Sequence, residues 1–141
     1  MKPITATFVL VAADCPAAVA EVPAARGATI SVPALQHDLL TAHPYRFTLA
    51  DLIFETHARR LGLDPAEAAA RAGAIRADLF ARPHPCMRAS ALPKRYGWGV
   101  HHDDAGRIAL VPVESPEYHR FASGQVAGVA VVPAMRNRKP S

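Results

Sequence analysis

The sequence has few cysteines, few aromatic residues and no long apolar run, and each scarcity excludes a class of protein. Two cysteines, Cys15 and Cys86, are too few for a disulfide framework and are typical of a reducing compartment. A transmembrane helix needs about 20 consecutive apolar residues, and the sequence contains no such run. We therefore expect a cytoplasmic protein without a membrane segment.

The apolar stretch of residues 4–12 is the one place where a secretion signal has to be considered. Thr5 and Thr7 interrupt it with an alternating pattern, and Asp14 directly precedes Cys15, where a lipoprotein signal needs a small neutral residue. This pattern favours a buried strand over a signal peptide.

The short motifs that identify many enzyme classes are also missing. The sequence has no phosphate-binding G-x-x-x-x-G-K, no dinucleotide-binding G-x-G-x-x-G after a strand and no H-E-x-x-H. It likewise lacks C-x-x-C and the G-x-S-x-G nucleophile motif. No cofactor is predicted from the motifs.

Composition indicates one globular domain spanning residues 1–141. Half of the 141 residues are hydrophobic and 20% are charged, which suits a single folded core. The formal charge of +4 permits an anionic partner without requiring one. Much of the excess lies in residues 136–139, and we expect residues 135–141 to form a frayed basic end.

Hydrophobic spacing predicts the order β-α-α-α-β-β-α-β. Residues 4–12 are apolar on both faces, which indicates a central strand. The helices are expected to begin at the caps Ser31, Thr48 and Asp64. The remaining predicted segments are a loop at 16–30 with a turn at 26–27, a loop at 83–93, strands at 96–101 and 107–113, a helix at 115–124 and a strand at 126–132. We expect an α+β domain with about four mostly antiparallel strands and helices packed on one face.

A basic and aromatic cluster, PKRYGWG, follows the loop and is the first candidate site. Arg88, Lys94 and Arg95 supply three cations that can bind an anion, and Tyr96 supplies a face for stacking. The alternative is a solvated strand entrance, with Trp98 filling the core between two glycines that leave room for its neighbours.

Cys86 is the second candidate, because nearby cations favour the nucleophilic thiolate. His84 or His101 would act as the base if the fold brings either one close. The alternative is a buried, inert cysteine. A redox pair with Cys15 is a further alternative that the sequence alone does not decide.

Metal binding is the third candidate, because seven histidines are many for this length. His101 and His102 are adjacent in a predicted strand and therefore point to opposite faces. The spacing of His84, Cys86 and His101 matches no strong metal motif. We predict no metal site.

Several stretches resemble a family of small, uncharacterised bacterial proteins classed as a domain of unknown function. They are VAADCP, HPYRFTLADLIFETHARR, PCMRASALPKRYGWGVHHDDAGRIALVPVESPEY and AMRNRK. The resemblance runs from about Phe8 to Lys139, and PC-x-R with KRYGWG is its most specific part. It implies a stand-alone bacterial domain, cytoplasmic in location, and supplies no mechanism.

Three functional hypotheses follow. The first is a module that binds an anionic small molecule or a nucleic-acid segment through residues 83–95 and the start of the hairpin. The second is a thiol-dependent enzyme or redox protein with Cys86 as nucleophile. The third is an interaction protein that forms a homodimer through a strand edge.

Overall fold

The computed structural model describes residues 2–24 and 31–138. Its elements are β1 (Thr7–Leu10), α1 (Val32–Ala42), α2 (Leu49–Arg60), α3 (Pro65–Ala70), α4 (Ala72–Phe80), a 3-10 turn (Met87–Ala89), α5 (Ala91–Arg95), β2 (Trp98–His102), β3 (Ile108–Pro112), α6 (Pro116–Ala122) and β4 (Ala130–Pro133). The predicted order of the strands and of the helical regions between them is confirmed. Among the described residues, no helix combines the length and the apolar character that crossing a membrane requires.

The strands form one mixed sheet in the order β3-β2-β1-β4. β1 pairs antiparallel with β2, β2 pairs antiparallel with β3, and β1 pairs parallel with β4. β1 is therefore an interior strand, as its two-sided apolar pattern predicts. The α+β class and the single small domain are confirmed.

Two clusters of apolar residues cover the two faces of the sheet, because neighbouring strand residues point to opposite sides. The larger cluster joins Val9 and Val100 of the sheet to leucines of α1, α2 and α5. The smaller cluster joins Phe8 and Val111 to Tyr118 of α6. The helices α1, α2 and α5 thus cover one face and α6 lies on the other, so the prediction that the helices pack on one face is wrong for α6.

Polar caps fix where the helices begin. The side chains of Ser31, Thr48, Asp64 and Ser115 each accept a hydrogen bond from the backbone of the first turn. Thr48 and Asp51 bond reciprocally at 3.2 Å and form a full capping box. These local signals are the ones that a sequence displays most directly.

The third predicted helix is interrupted at Arg71, which ends α3 and precedes α4. Arg71 has ψ near 3° and so departs from α-helical geometry. The break allows Ala68 of α3 and Ile75 of α4 to pack against Phe54 of α2 in a separate small core. The prediction of one continuous helix is wrong at this residue.

The predicted loop at 83–93 contains the 3-10 turn and most of α5. Lys94 and Arg95 therefore lie in a helix, and Tyr96 caps it. The chain turns at Gly97, whose φ of +78° is a left-handed value that favours glycine. Strand β2 begins only at Trp98, so the predicted strand start at Tyr96 is two residues early.

The last described residues are joined to the body by Asp14. Its carboxylate accepts backbone hydrogen bonds at 3.0 Å from Asn137 and Arg138. Asn137 also donates through its side chain to the carbonyl of Lys94 at 2.8 Å. The predicted turn at 26–27 and residues 139–141 of the predicted basic end lie outside the described residues.

Candidate functional site

A cleft of about 440 Å³ lies between the start of α1, one side of α2 and the segment from Leu79 to Ala91. Most of its wall is apolar and includes Val32, Leu49, Ile53 and Met87. The polar side chains that border the cleft are those of Gln36, Thr56, His57, Arg60, His84, Cys86 and Ser90. A few polar groups on an apolar wall are typical of small-molecule sites.

Helical spacing brings the α2 residues to the cleft. Ile53, Thr56, His57 and Arg60 stand at positions i, i+3, i+4 and i+7 and so share one side of the helix. In the sequence, His57 stands at helical spacing among the apolar residues of α2. A histidine in such a position is the sequence feature that could have indicated this site. Thr56 and Arg60 carried no comparable signal.

Thr56 contributes an unsatisfied polar group beside the cleft. The residue is 7% exposed, and its Oγ1 has no hydrogen-bond partner in the structure. A buried hydroxyl without a partner costs about 1–3 kcal/mol. A polar group that reached this hydroxyl from the cleft would recover part of that cost.

Cys86 and His84 lie together at one end of the cleft. Both also border a neighbouring cleft of about 380 Å³, which is formed with Lys2, Ile4 and residues 80–83. Cys86 is half-buried and is a free thiol. The structure therefore brings together the predicted nucleophile and one of its two predicted bases.

A backbone carbonyl sets the tautomer of His84. Its Nε2 lies 2.6 Å from the carbonyl oxygen of Leu79. A carbonyl oxygen only accepts, so Nε2 carries the proton and donates. In the neutral ring, Nδ1 then carries the free lone pair.

The other predicted base, His101, lies on the opposite side of the sheet. It pairs with Phe8 in the sheet, and Phe8 belongs to the core under α6. His101 Nδ1 is 2.9 Å from the hydroxyl of Tyr45, and its ring lies 4.5 Å from that of Phe121. Cys86 packs against the core on the other face. The sheet thus separates His101 from Cys86.

The three cations predicted to bind an anion, Arg88, Lys94 and Arg95, do not line this cleft. Arg88 Nε donates to the carbonyl of Pro133 at 2.7 Å and so ties the 3-10 turn to the end of β4. Lys94 and Arg95 lie in the last turn of α5, and Tyr96 follows them. The segment 83–95 is therefore divided, with its first half at the cleft and its basic half beside the C-terminal segment.

Trp98 packs against the larger core, as predicted by the alternative in which this side chain fills the core. Its Nε1 donates to the carbonyl of Glu21 at 2.7 Å, and its ring meets His37 edge-on at 5.2 Å. Gly99 leaves room on the opposite face, where an added Cβ would lie 2.5 Å from the ring of Phe8.

On both edge strands, β3 and β4, backbone groups already make hydrogen bonds to other segments of the chain. Ile108 of β3 donates to Phe47 and accepts from Tyr45. On the other edge, the Pro133 carbonyl accepts from Arg88, and the Met135 amide donates to the Arg88 carbonyl. Pairing of two copies through either edge would have to displace these contacts.

His102 is a buried histidine of β2, on the face of the sheet that the larger apolar cluster covers. It is 1% exposed, and neither ring nitrogen has a hydrogen-bond partner. Burial, together with the nearby His101, lowers the pKa of His102 from 6.5 to about 4. Burial also lowers the pKa of His101. His102 is therefore a neutral core residue near neutral pH.

Within residues 2–24 and 31–138, no three His, Cys, Asp or Glu side chains are grouped as a metal site would require. Cys15 and Cys86 are both free and half-buried, and both pack against the larger core.

No curated protein and no solved structure is similar to the chain. A family model described as a family of unknown function, DUF6157, matches residues 2–140. Because this match covers nearly the whole sequence, the chain belongs to the DUF6157 family.

Proposed function

We propose that the protein binds a small amphipathic anion in the cleft between α1, α2 and the segment from Leu79 to Ala91. The observation that supports this proposal is the cleft itself: about 440 Å³ with a largely apolar wall and a small set of polar side chains. A volume of this size suits a small organic ligand.

The charges beside the cleft favour an anion. Arg60 lines it, and none of its lining residues is an aspartate or a glutamate. Among the described residues, Arg60 makes no ion pair. A carboxylate at this rim would pair with the guanidinium, because Arg binds carboxylates in a fixed fork geometry.

The apolar wall favours a ligand whose remaining part is a hydrocarbon group. Leucine, isoleucine, valine and methionine side chains border the cleft and stabilise a hydrocarbon group through burial. Ser90 and Gln36 also line the cleft, and their side chains are hydrogen-bonded at 3.2 Å, which fixes a polar position in its wall. We therefore expect medium-chain or aromatic monocarboxylates to bind better than their neutral amides.

The test is titration of the ¹⁵N-labelled protein with octanoate and with 4-phenylbutyrate, followed by NMR. Chemical-shift changes should map to α2 and to residues 84–91. Arg60→Gln should weaken binding about threefold to fivefold, the size of a partly exposed ion pair of about 0.6–1 kcal/mol.

Arg59→Gln is the matched control, because Arg59 is the exposed neighbour of Arg60 and does not line this cleft. Equal effects of the two variants would contradict the proposed site. So would shift changes centred on Arg88, Lys94 and Arg95, because those would place the anion at the basic half of the segment. Octanamide should bind more weakly than octanoate, and the difference should shrink at high salt.

A further inference from the structure

We infer that Cys86, with His84 as its base, adds covalently to the double bond of an α,β-unsaturated ketone that also carries a carboxylate and is held in this cleft. The inference rests on the proposed binding function and adds a chemical step to it. Its basis is that a free thiol, an oriented imidazole and a cation border one apolar cleft.

His84 has the arrangement of a general base. Its Nε2 is held by the Leu79 carbonyl at 2.6 Å, which leaves Nδ1 as the proton acceptor. The ring also meets Phe80 edge-on at 5.6 Å, which restricts its rotation. A base oriented by a third group beside a nucleophile is the recurring pattern of covalent catalysis.

Cys86 is accessible and chemically free. Its side chain borders two clefts, is only half-buried and makes no disulfide. Cys86 and His84 are not hydrogen-bonded to each other in this structure. Such contacts commonly tighten only when a substrate is bound.

The proposed step balances without a co-reactant. His84 Nδ1 takes the proton from Cys86 Sγ, and the sulfur forms a bond to the carbon β to the ketone. The electron pair of the carbon–carbon double bond moves onto the ketone as an enolate, and the carbon α to the ketone then takes the proton back from His84. No group leaves, and nothing is oxidised or reduced.

Two further residues support a ligand of this class. Arg60 is placed to pair with the carboxylate, and the unpartnered hydroxyl of Thr56 offers a donor to a second ligand oxygen. Thr56 is more than nine-tenths buried, so its hydroxyl is unlike the exposed polar groups of a solvated surface.

The experiment uses 3-benzoylacrylate, which carries a carboxylate, an apolar ring and an activated double bond, with its methyl ester as the neutral comparison. The full-length protein is treated at pH 7, and adducts at Cys86 and Cys15 are counted by peptide mass spectrometry. Cys15 serves as the internal control thiol. Cys86 should react at least tenfold faster than Cys15, and the ratio of the rate with the acid to the rate with the ester should be higher at Cys86 than at Cys15.

His84→Gln separates base catalysis from simple exposure. The glutamine amide retains a donor for the Leu79 carbonyl and lacks a base. Its adduct rate at Cys86 should fall at least tenfold at pH 7. At pH 10 the rate should match that of the wild type, because thiols ionise there without help. His43→Gln, at an exposed histidine outside the cleft, should leave both rates unchanged.

An unchanged rate in His84→Gln at pH 7 would overturn the inference, as would equal reaction of Cys86 and Cys15. The proposed binding function is tested separately by octanoate titration of Cys86→Ser. If that variant binds octanoate while His84→Gln reacts normally, only the covalent step fails. If octanoate does not bind, the binding function fails as well.

Discussion

The buried, unpartnered His102 makes the stability of this protein depend on pH in a way that one substitution should remove. His102→Leu replaces an imidazole with an apolar side chain of similar size at a position 1% exposed. It removes both ring nitrogens that lack hydrogen-bond partners. It also removes the imidazole, which takes up a proton as the pH falls.

The direction and the size of this pH dependence follow from the pKa of His102 in the folded and in the unfolded state. His102 has a pKa of about 4 in the folded protein and 6.5 as the reference for the unfolded chain. The unfolded state therefore binds more protons between these values, and stability falls as the pH falls through 6.5 toward 4. Between pH 8 and pH 5 this residue alone removes about 2 kcal/mol from the free energy of unfolding.

The assay is urea unfolding at pH 8 and pH 5, followed by the fluorescence of Trp98, the single tryptophan. Other groups also titrate, so the quantity to compare is the stability difference between His102→Leu and the wild type at each pH. That difference should shift in favour of the variant by about 2 kcal/mol between pH 8 and pH 5. His119→Gln, at an exposed histidine of α6, should show no such shift. A shift below about 0.5 kcal/mol for His102→Leu would refute the view of His102 as a buried neutral side chain.

Two other sites give contrasting predictions. Gly99→Ala should lower the free energy of unfolding by about 2–3 kcal/mol, because the new Cβ would lie 2.5 Å from the ring of Phe8. Gly73→Ala is the matched opposite case: nothing lies within 4 Å, the site is inside α4, and urea unfolding should show a gain of about 0.5–1 kcal/mol. Asp14→Ala should speed hydrogen exchange at the amides of Asn137 and Arg138, because it removes their acceptor. Those hydrogen bonds lower the pKa of Asp14, so the wild type should keep this protection at neutral pH and lose it in acid as the carboxylate is protonated. Exchange that is equal in the two proteins at pH 7 would show that Asp14 does not hold the segment.

Most of the fold was predictable because its signals are local. Ser31, Thr48 and Asp64 mark helix starts through their own side chains, and the two-sided apolar pattern of residues 4–12 marks an interior strand. Helix α5 was missed because five residues are too few for a helical period and Pro93 suggests a loop. Proline is nevertheless tolerated in the first turn of a helix, where its missing N–H has no intrahelical partner.

The candidate site was only partly predictable because it joins distant parts of the sequence. Cys86 and His84 are two residues apart, so chemistry at this pair could be proposed from the sequence. Thr56 and Arg60 reach them only through the packing of α2 against the segment that follows α4. The position of His101 was misleading for a different reason. His101 lies within strand β2, and its place in the sequence does not show which face of the sheet its side chain occupies until the register is known.

The parallel pairing of β1 with β4 has a consequence for biosynthesis. β1 is synthesised before every other described element and β4 after them, yet each supplies half of the same ladder. Until β4 is made, one edge of an apolar interior strand has no partner, which exposes it to aggregation. Closing this ladder also requires bringing together segments separated by nearly the whole chain, which slows folding. We therefore expect the nascent chain to need protection by a chaperone until β4 has been made and has paired with β1.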